Sequence, residues 1–182
     1  GRYDIMATID LIVLGMLKKE SMSAYDIQKL VEYRNISKWV KISTPSIYKK
    51  TIQLEKKGLI KGSVVKEGKM PEKVIYSLTE DGEKTFEKLM FDISSEPVHI
   101  FLDFNAVIVN LDSLPLEKKK MCIDSIEENV KELKSYLEQN IREKENIPEI
   151  PVTGMAVLRQ QFVLAEAIET WIASVKQGFN RM

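Results

Sequence analysis

Ser46, Lys49, Lys50 and Gln53 recur at spacings of three and four, with Lys57 one turn further on. On a helix they share one face, which then carries a hydroxyl, ammonium groups and an amide. Those are the groups that donate to phosphates and base edges in a nucleic-acid duplex. Thr44, Pro45 and Ser46 at the head of the stretch are short, so that end can approach a groove closely, and the free amides of a helix start are themselves phosphate donors. Ile47, Thr51 and Leu54 fall at i, i+4, i+7 and form the stripe that would be buried. Tyr48 has two readings: a hydroxyl reaching a phosphate, or a core ring with a wet hydroxyl. Ile52 lies between the two stripes and has no assigned role. Lys69 and Lys73 belong to a following hairpin, where they would lie along the adjacent backbone or minor groove and position the protein without reading sequence. Lys41, Lys61 and Lys66 are weaker candidates, read as generally solvated.

The elements that must hold these residues have clear punctuation. Thr44 is placed to cap a helix, Pro45 suits its first turn, and Gly58 suits a left-handed stop. Two strands follow, Leu59–Val65 and 73–78, with the hairpin tip marked by Gly68 and Pro71. Upstream, residues 7–19 carry a wide apolar stripe, and Ser23 caps a second helix in which Ile27, Leu30 and Val31 keep helical spacing. Residues 34–43 read as a connecting loop or short strand, with Trp39 as a packing residue. Thr79 caps a fourth helix whose first turn holds Glu80, Asp81 and Glu83, acids that suit the positive end. Helix, helix, helix, hairpin is the winged helix-turn-helix order.

Charge supports the same placement. The 182-residue chain is formally neutral, which excludes indiscriminate nucleic-acid binding by the whole surface. Residues 1–80 hold 15 Lys and Arg against 9 Asp and Glu, whereas residues 81–182 hold 12 against 18. Within 34–73 the counts are 11 and 3, so the basic excess sits on the recognition elements. A single cysteine, Cys122, excludes an intramolecular disulfide and fits a reducing cytoplasm. The longest apolar run, Val98 to Leu111, is interrupted by His99, Asp103, Asn105 and Asn110 and falls short of the roughly 18 residues that span a bilayer, and the N-terminus lacks a signal-peptide pattern. One His and one Cys, both read as packing residues, leave no nucleophile elbow, phosphate loop or metal-spaced cluster. An enzyme is therefore not expected, nor is a cofactor or metal.

The second half reads as helix throughout: an apolar helix opening at Glu96-Pro97 and reaching about Leu111, a long one over 115–146, and a last one over about 153–180. In the long helix Ile123, Ile126, Val130, Leu133 and Leu137 alternate at three and four, a heptad seam. The last helix has one stripe at Leu158, Phe162, Ala165, Ile168, Ile172 and Val175 and another at Val157, Leu164 and Trp171. Two apolar faces need two partners. The long helix covers one, and a second protomer is the expected cover for the other, which makes Ile126, Val130, Leu133, Leu137, Phe162, Ile168, Trp171 and Ile172 the candidate dimer contacts. An intrachain bundle using the 98–111 helix is the alternative.

Residues 11–82 resemble the PadR family of bacterial transcriptional regulators. The likeness is carried by Leu14-Gly15-Met16-Leu17, Tyr25-Asp26-Ile27, Ser46-Ile47-Tyr48, Leu54-Glu55 through Gly58-Leu59-Ile60, and Tyr76-Ser77-Leu78-Thr79-Glu80-Asp81-Gly82. The chain departs from the pattern at Ala24 and Pro45, where the family commonly has Gly, and at Thr51, where an apolar residue is usual; these bear on helix packing and operator choice. The resemblance implies a mainly α protein with a small β-hairpin wing: a winged helix-turn-helix domain over 1–92 and antiparallel helices forming a dimer interface over 93–182. It implies a homodimeric repressor on a pseudo-palindromic double-stranded operator, released by a small aromatic or apolar effector, cytoplasmic and not membrane-bound. In some relatives planar ligands stack on tryptophan between protomers, so Trp171 with Met155 and Phe162 is the candidate effector pocket; the alternative is that Trp171 simply anchors the dimer core. A winged-helix module serving protein association alone is the competing function.

Overall fold

The computed structural model describes residues 5–42 and 47–179 and divides into two compact units, Gly1–His99 and Ile100–Met182. The break lies a few residues beyond position 92, because the fourth helix runs on to Ser94.

In the first unit α1 spans Ile5–Lys19, α2 Ala24–Tyr33 and α3 Ile47–Lys56, followed by β1 (Ile60–Val65), β2 (Lys73–Leu78) and α4 (Glu80–Ser94). The starts of α2 and α4 are set by the expected hydroxyls. Ser23 Oγ accepts from the Asp26 amide at 3.2 Å and Thr79 Oγ1 from the Gly82 amide at 3.0 Å, each satisfying one orphan donor of the first turn. α3 stops where expected: Gly58 takes φ +75°, the Leu59 amide bonds back to the Leu54 carbonyl at 3.0 Å, and the left-handed turn launches β1. The strands pair antiparallel from Ile60 opposite Leu78 to Val65 opposite Lys73. Met22, between α1 and α2, exchanges both backbone bonds with Tyr76 and ties that turn to β2.

The core of this unit is Ile9, Val13, Leu14 and Leu17 from α1, with Ile27, Ile47, Leu54, Ile60 and Tyr76 brought in from every other element but α4, whose Phe86 and Leu89 pack against its edge. The segment after α2 is neither strand nor open loop. Asn35 takes φ +49°, a region Asn tolerates, and a 3-10 turn at Ile36–Lys38 buries Ile36. The Trp39 indole donates to the Arg34 carbonyl at 3.1 Å and its ring packs on the core edge, as a packing residue should.

The second unit contains α5 (Asn105–Val109), a 3-10 turn at Leu111–Ser113, α6 (Leu116–Lys144) and α7 (Val152–Gly178). α6 and α7 are antiparallel. Lys134 bonds Glu169 at 3.0 Å, while Lys176, late in α7, meets Asp124 at 3.0 Å and Glu127 at 3.2 Å early in α6. The hydrogen bond to Glu169 holds the Lys134 ammonium above its ordinary range, and those to Asp124 and Glu127 do the same for Lys176. Leu111, Ile123, Ile126, Val130, Ile172 and Phe179 form the core, with Phe104, Ile108 and Cys122 against it.

The expected helix over 97–111 is reduced to the five residues of α5. Val98 and Ile100 are β-branched, which lowers helix propensity, and they remain 88% and 70% exposed, so they gain little burial to offset the cost of helix nucleation. His99, expected to pack, is exposed as well. Among the described residues no helix is long and apolar enough to cross a membrane.

Candidate nucleic-acid interface

Helix α3 turns Ile47, Lys50, Thr51 and Leu54 into the first unit, which leaves Tyr48, Lys49, Ile52, Gln53 and Lys56 exposed on its outer side. Lys49 and Gln53 are where the spacing puts them. Tyr48 is 51% exposed, which excludes the core-ring reading and leaves its hydroxyl in water. Thr51, the polar residue on the buried stripe, is satisfied inside the helix by donating to the Tyr48 carbonyl at 2.9 Å. Thr44, Pro45 and Ser46, read as the cap and first turn, lie outside the described residues.

Lys50 is the correction. It was expected on the groove face, yet it is 1% exposed and its ammonium lies 2.7 Å from Asp10 Oδ1 on α1. The reason is phase. Position 50 is four after Ser46 and three before Gln53, but it is also three after Ile47 and four before Leu54, so it borders both stripes and its ammonium side chain tips the reading outward. Asp10 Oδ1 is itself buried and has no hydrogen-bond partner among the described residues, so the ion pair with Lys50 is what compensates its burial. Lys50 cannot reach a groove from there and is withdrawn as a contact.

The hairpin is fixed to the end of α3 by a carboxylate. Glu55 Oε2 accepts from the Gly62 amide at 2.7 Å, and an added Cβ at Gly62 would lie 2.7 Å from Val74 Cγ1 and 2.9 Å from that oxygen, so a side chain there would make both neighbours shift. Thr79 Oγ1, besides capping α4, donates to the Gly58 carbonyl at 2.7 Å. Helix stop, wing and α4 therefore share one hydrogen-bonded junction. Lys66 and Lys69 at the tip and Lys73 at the start of β2 are all exposed, as are Lys56, Lys57 and Lys61, while Glu67 and Glu72 moderate the charge of the tip.

The second unit sorts the candidate dimer contacts into two groups. Ile126, Val130, Leu137 and Ile172 are buried within the chain at 8% exposure or less, because the heptad seam is consumed by the α6–α7 pair itself. They are core residues and not a free face. Leu133 is 48% exposed and Trp171 37%, with Tyr136, Val163 and Leu164 also in water; Phe162 and Ile168 are half-buried.

The candidate effector residues do not line one pocket in a protomer. Met155 and Trp171 are sixteen residues apart on α7, about 24 Å at 1.5 Å per residue, and Met155 is buried. Trp171 instead stacks on Phe104, with ring centroids 5.7 Å apart and planes within 15°. Phe104 gives no signal in the sequence, because it lies in a stretch whose composition reads as continuous helix. A groove of about 550 Å³ does lie on this unit, but Asp124, Glu127, Glu128, Glu132, Lys131, Lys176 and Ser135 line it, a polar and mainly acidic wall. Among the described residues no group of His, Cys, Asp and Glu is disposed to hold a metal.

The architecture has close counterparts. Bacillus subtilis PadR in complex with operator DNA superposes with a TM-score of 0.79 at 19% identity, covering 94% of this chain and 99% of that one. The same protein in complex with p-coumaric acid gives 0.78 at 18%, covering 98% and 99%. The Vibrio cholerae virulence activator AphA gives 0.69 at 18%, covering 95% and 98%. At these identities the likeness is one of fold, and it extends over both units. No curated protein matches the sequence. Residues 13–88, which hold nearly all of the helix-turn-helix, its wing and α4, match the model of the transcriptional regulator PadR-like family, whose members are regulators and not enzymes. The winged-helix segment, residues 13–88, is therefore similar in sequence to the transcriptional regulator PadR-like family, and the chain as a whole shares the fold of PadR structures.

Proposed function

We propose that this chain is a homodimeric, sequence-specific DNA-binding repressor whose grip on its operator is released by a small aromatic or apolar molecule. The observation that carries the reading is the outer side of α3: Tyr48, Lys49, Gln53 and Lys56 exposed together, beside a wing whose lysines are also exposed, in a stretch with 11 basic residues against 3 acidic ones. A helix of this kind enters the major groove with its first two turns toward base edges, and the wing lies along the backbone. Lys49 and Gln53 are the base-reading candidates, Tyr48 a phosphate donor, and Lys69 and Lys73 backbone contacts. A module for protein association alone would have no use for that excess of lysine.

Two such helices about one helical turn apart, roughly 34 Å, match a pseudo-palindromic site, so the active form is a dimer. Leu133 and Trp171, with Phe162 and Ile168 at the margin, form its contact face, since these keep apolar surface outside the protomer core. The Phe104–Trp171 stack supports the effector reading, being a flat, partly exposed aromatic surface on which a planar molecule could lie. The Bacillus subtilis PadR structure with p-coumaric acid supports the ligand class, and the one with operator DNA supports the target. A protein acting on chromosomal DNA works in the bacterial cytoplasm, where a lone half-buried cysteine is at home.

The experiment is selection of bound fragments from the source genome, followed by titration of the recovered duplex. Nanomolar binding to one family of sites, 10³-fold or more tighter than to random duplex at the same salt, is the expected result. Equal, weak binding to every duplex would refute the reading.

A further inference from the structure

Helix α3 leaves one apolar side chain in water where the fold has no use for it. Ile52 is 51% exposed and takes no part in the core of the first unit. A β-branched residue also costs a helix χ1 freedom that an exposed Ala, Lys or Gln would not. A solitary exposed isoleucine is ordinary on a protein surface. Its surroundings are what set this one apart. Tyr48 lies one turn before it and Lys56 one turn after; Lys49 and Gln53 lie on the adjoining row, all exposed, while Lys50 has turned inward to Asp10. The outer side of α3 therefore presents two neighbouring ridges, one polar at Lys49 and Gln53, one with apolar surface at Tyr48 and Ile52.

That pairing selects a ligand. The flanking lysines call for a polyanion, and the apolar ridge calls for a greasy spot recessed within it. On the floor of the B-DNA major groove the thymine C5-methyl group is such a spot. RNA does not supply it, because uracil lacks the methyl and the A-form major groove is too narrow for side chains to read. Gln53, next along the helix, is suited to pair with the N6 and N7 edge of adenine, so both residues favour A·T pairs.

We infer that Ile52 packs against a thymine methyl in each half-site, making it a specificity-determining residue and fixing a thymine beneath the second turn of α3. The inference rests on the DNA-binding reading above and adds the base it requires.

The test uses the full-length chain and the tightest duplex it recovers from a random-sequence library. Each thymine in turn is replaced by deoxyuridine, which keeps base pairing and removes only the methyl. Binding is followed by fluorescence anisotropy for the wild type, Ile52→Ala and Ile52→Val. One symmetry-related pair of positions is expected to matter. There deoxyuridine weakens the wild type about fourfold per half-site, the worth of one buried methyl, and about fifteenfold when both are replaced. Ile52→Ala binds thymine and deoxyuridine duplexes alike, while Ile52→Val, which keeps a branched methyl pair, retains part of the discrimination. The inference is overturned if no deoxyuridine substitution weakens the wild type, or if Ile52→Ala loses affinity on deoxyuridine as much as the wild type does; either outcome leaves DNA binding itself intact. Failure to recover any preferred duplex refutes the DNA-binding reading, and this inference with it.

Discussion

Breaking the Asp10–Lys50 pair should unsettle the first unit, and the geometry sets by how much. Only 2% of the Lys50 side chain is exposed, and its ammonium sits 2.7 Å from Asp10 Oδ1. Replacing Asp10 by Leu strands that ammonium, which cannot reach water unless its buried stem leaves the interior. Removing one partner of a buried pair costs about 3–5 kcal/mol. Asp10 keeps 14% of its side chain exposed, so water can partly relieve the site, and the lower end, about 3 kcal/mol, applies. Lys50→Met preserves the stem and strands the better-hydrated carboxylate, at about 1–2 kcal/mol. The double variant Asp10→Leu/Lys50→Met removes both charges and fills the space, and should return to within about 1 kcal/mol of the wild type. A double-mutant cycle by urea unfolding, read by circular dichroism, should therefore give a coupling energy of about 3 kcal/mol. In a thermal scan Asp10→Leu should lower Tm by about 6–12 °C. If Asp10→Leu shifts stability by less than about 0.5 kcal/mol, or the double variant loses the full sum of the two singles, the pair is not the buried strut described here.

Three further perturbations separate roles that the sequence alone ran together. Gly82→Ala would put a Cβ 2.0 Å from the Leu59 carbonyl oxygen and should cost about 3 kcal/mol or prevent folding, measured by the same urea titration. Leu133→Asp, at an exposed site, should leave helicity unchanged while shifting sedimentation from dimer to monomer, whereas Ile172→Asp, at 0% exposure, should unfold the second unit; equal loss of helicity in both would contradict the division into surface and core. Lys69→Ala should weaken binding alike on selected and random duplexes and lower the slope of log affinity against log salt by about 1 per protomer; a loss confined to the selected duplex would make Lys69 a base reader.

What could be read directly from the residues was local. Ser23 and Thr79 hydroxyls, the Gly58 stop and the strand alternation over 73–78 each act within a few residues of themselves, and each stands where the spacing puts it. The misreadings come from contacts that are distant in sequence. Lys50 fits the period of both the polar and the buried stripe, and the partner that decides between them, Asp10, lies forty residues away. The seam at Ile126, Val130 and Leu137 has the pattern of a dimer contact and of an intrachain hairpin alike; only the return of α7 decides between them. The apolar stretch after Pro97 reads as helix from composition, and fails where the β-branched Val98 and Ile100 stay largely exposed and gain little burial to stabilise one. Ile52 carries no role in the sequence alone, since its meaning depends on which of its neighbours stay outside.

The most direct measurement is a salt-controlled titration of the double variant Lys49→Ala/Gln53→Ala on the selected duplex and on a scrambled one. Loss of a bidentate base contact is worth about 1–3 kcal/mol, so affinity for the selected site should fall at least tenfold while affinity for the scrambled duplex changes much less, collapsing the ratio between them. A ratio equal to that of the wild type would mean that the outer side of α3 does not read sequence, and the account of this protein as a sequence-specific regulator through that helix would be wrong.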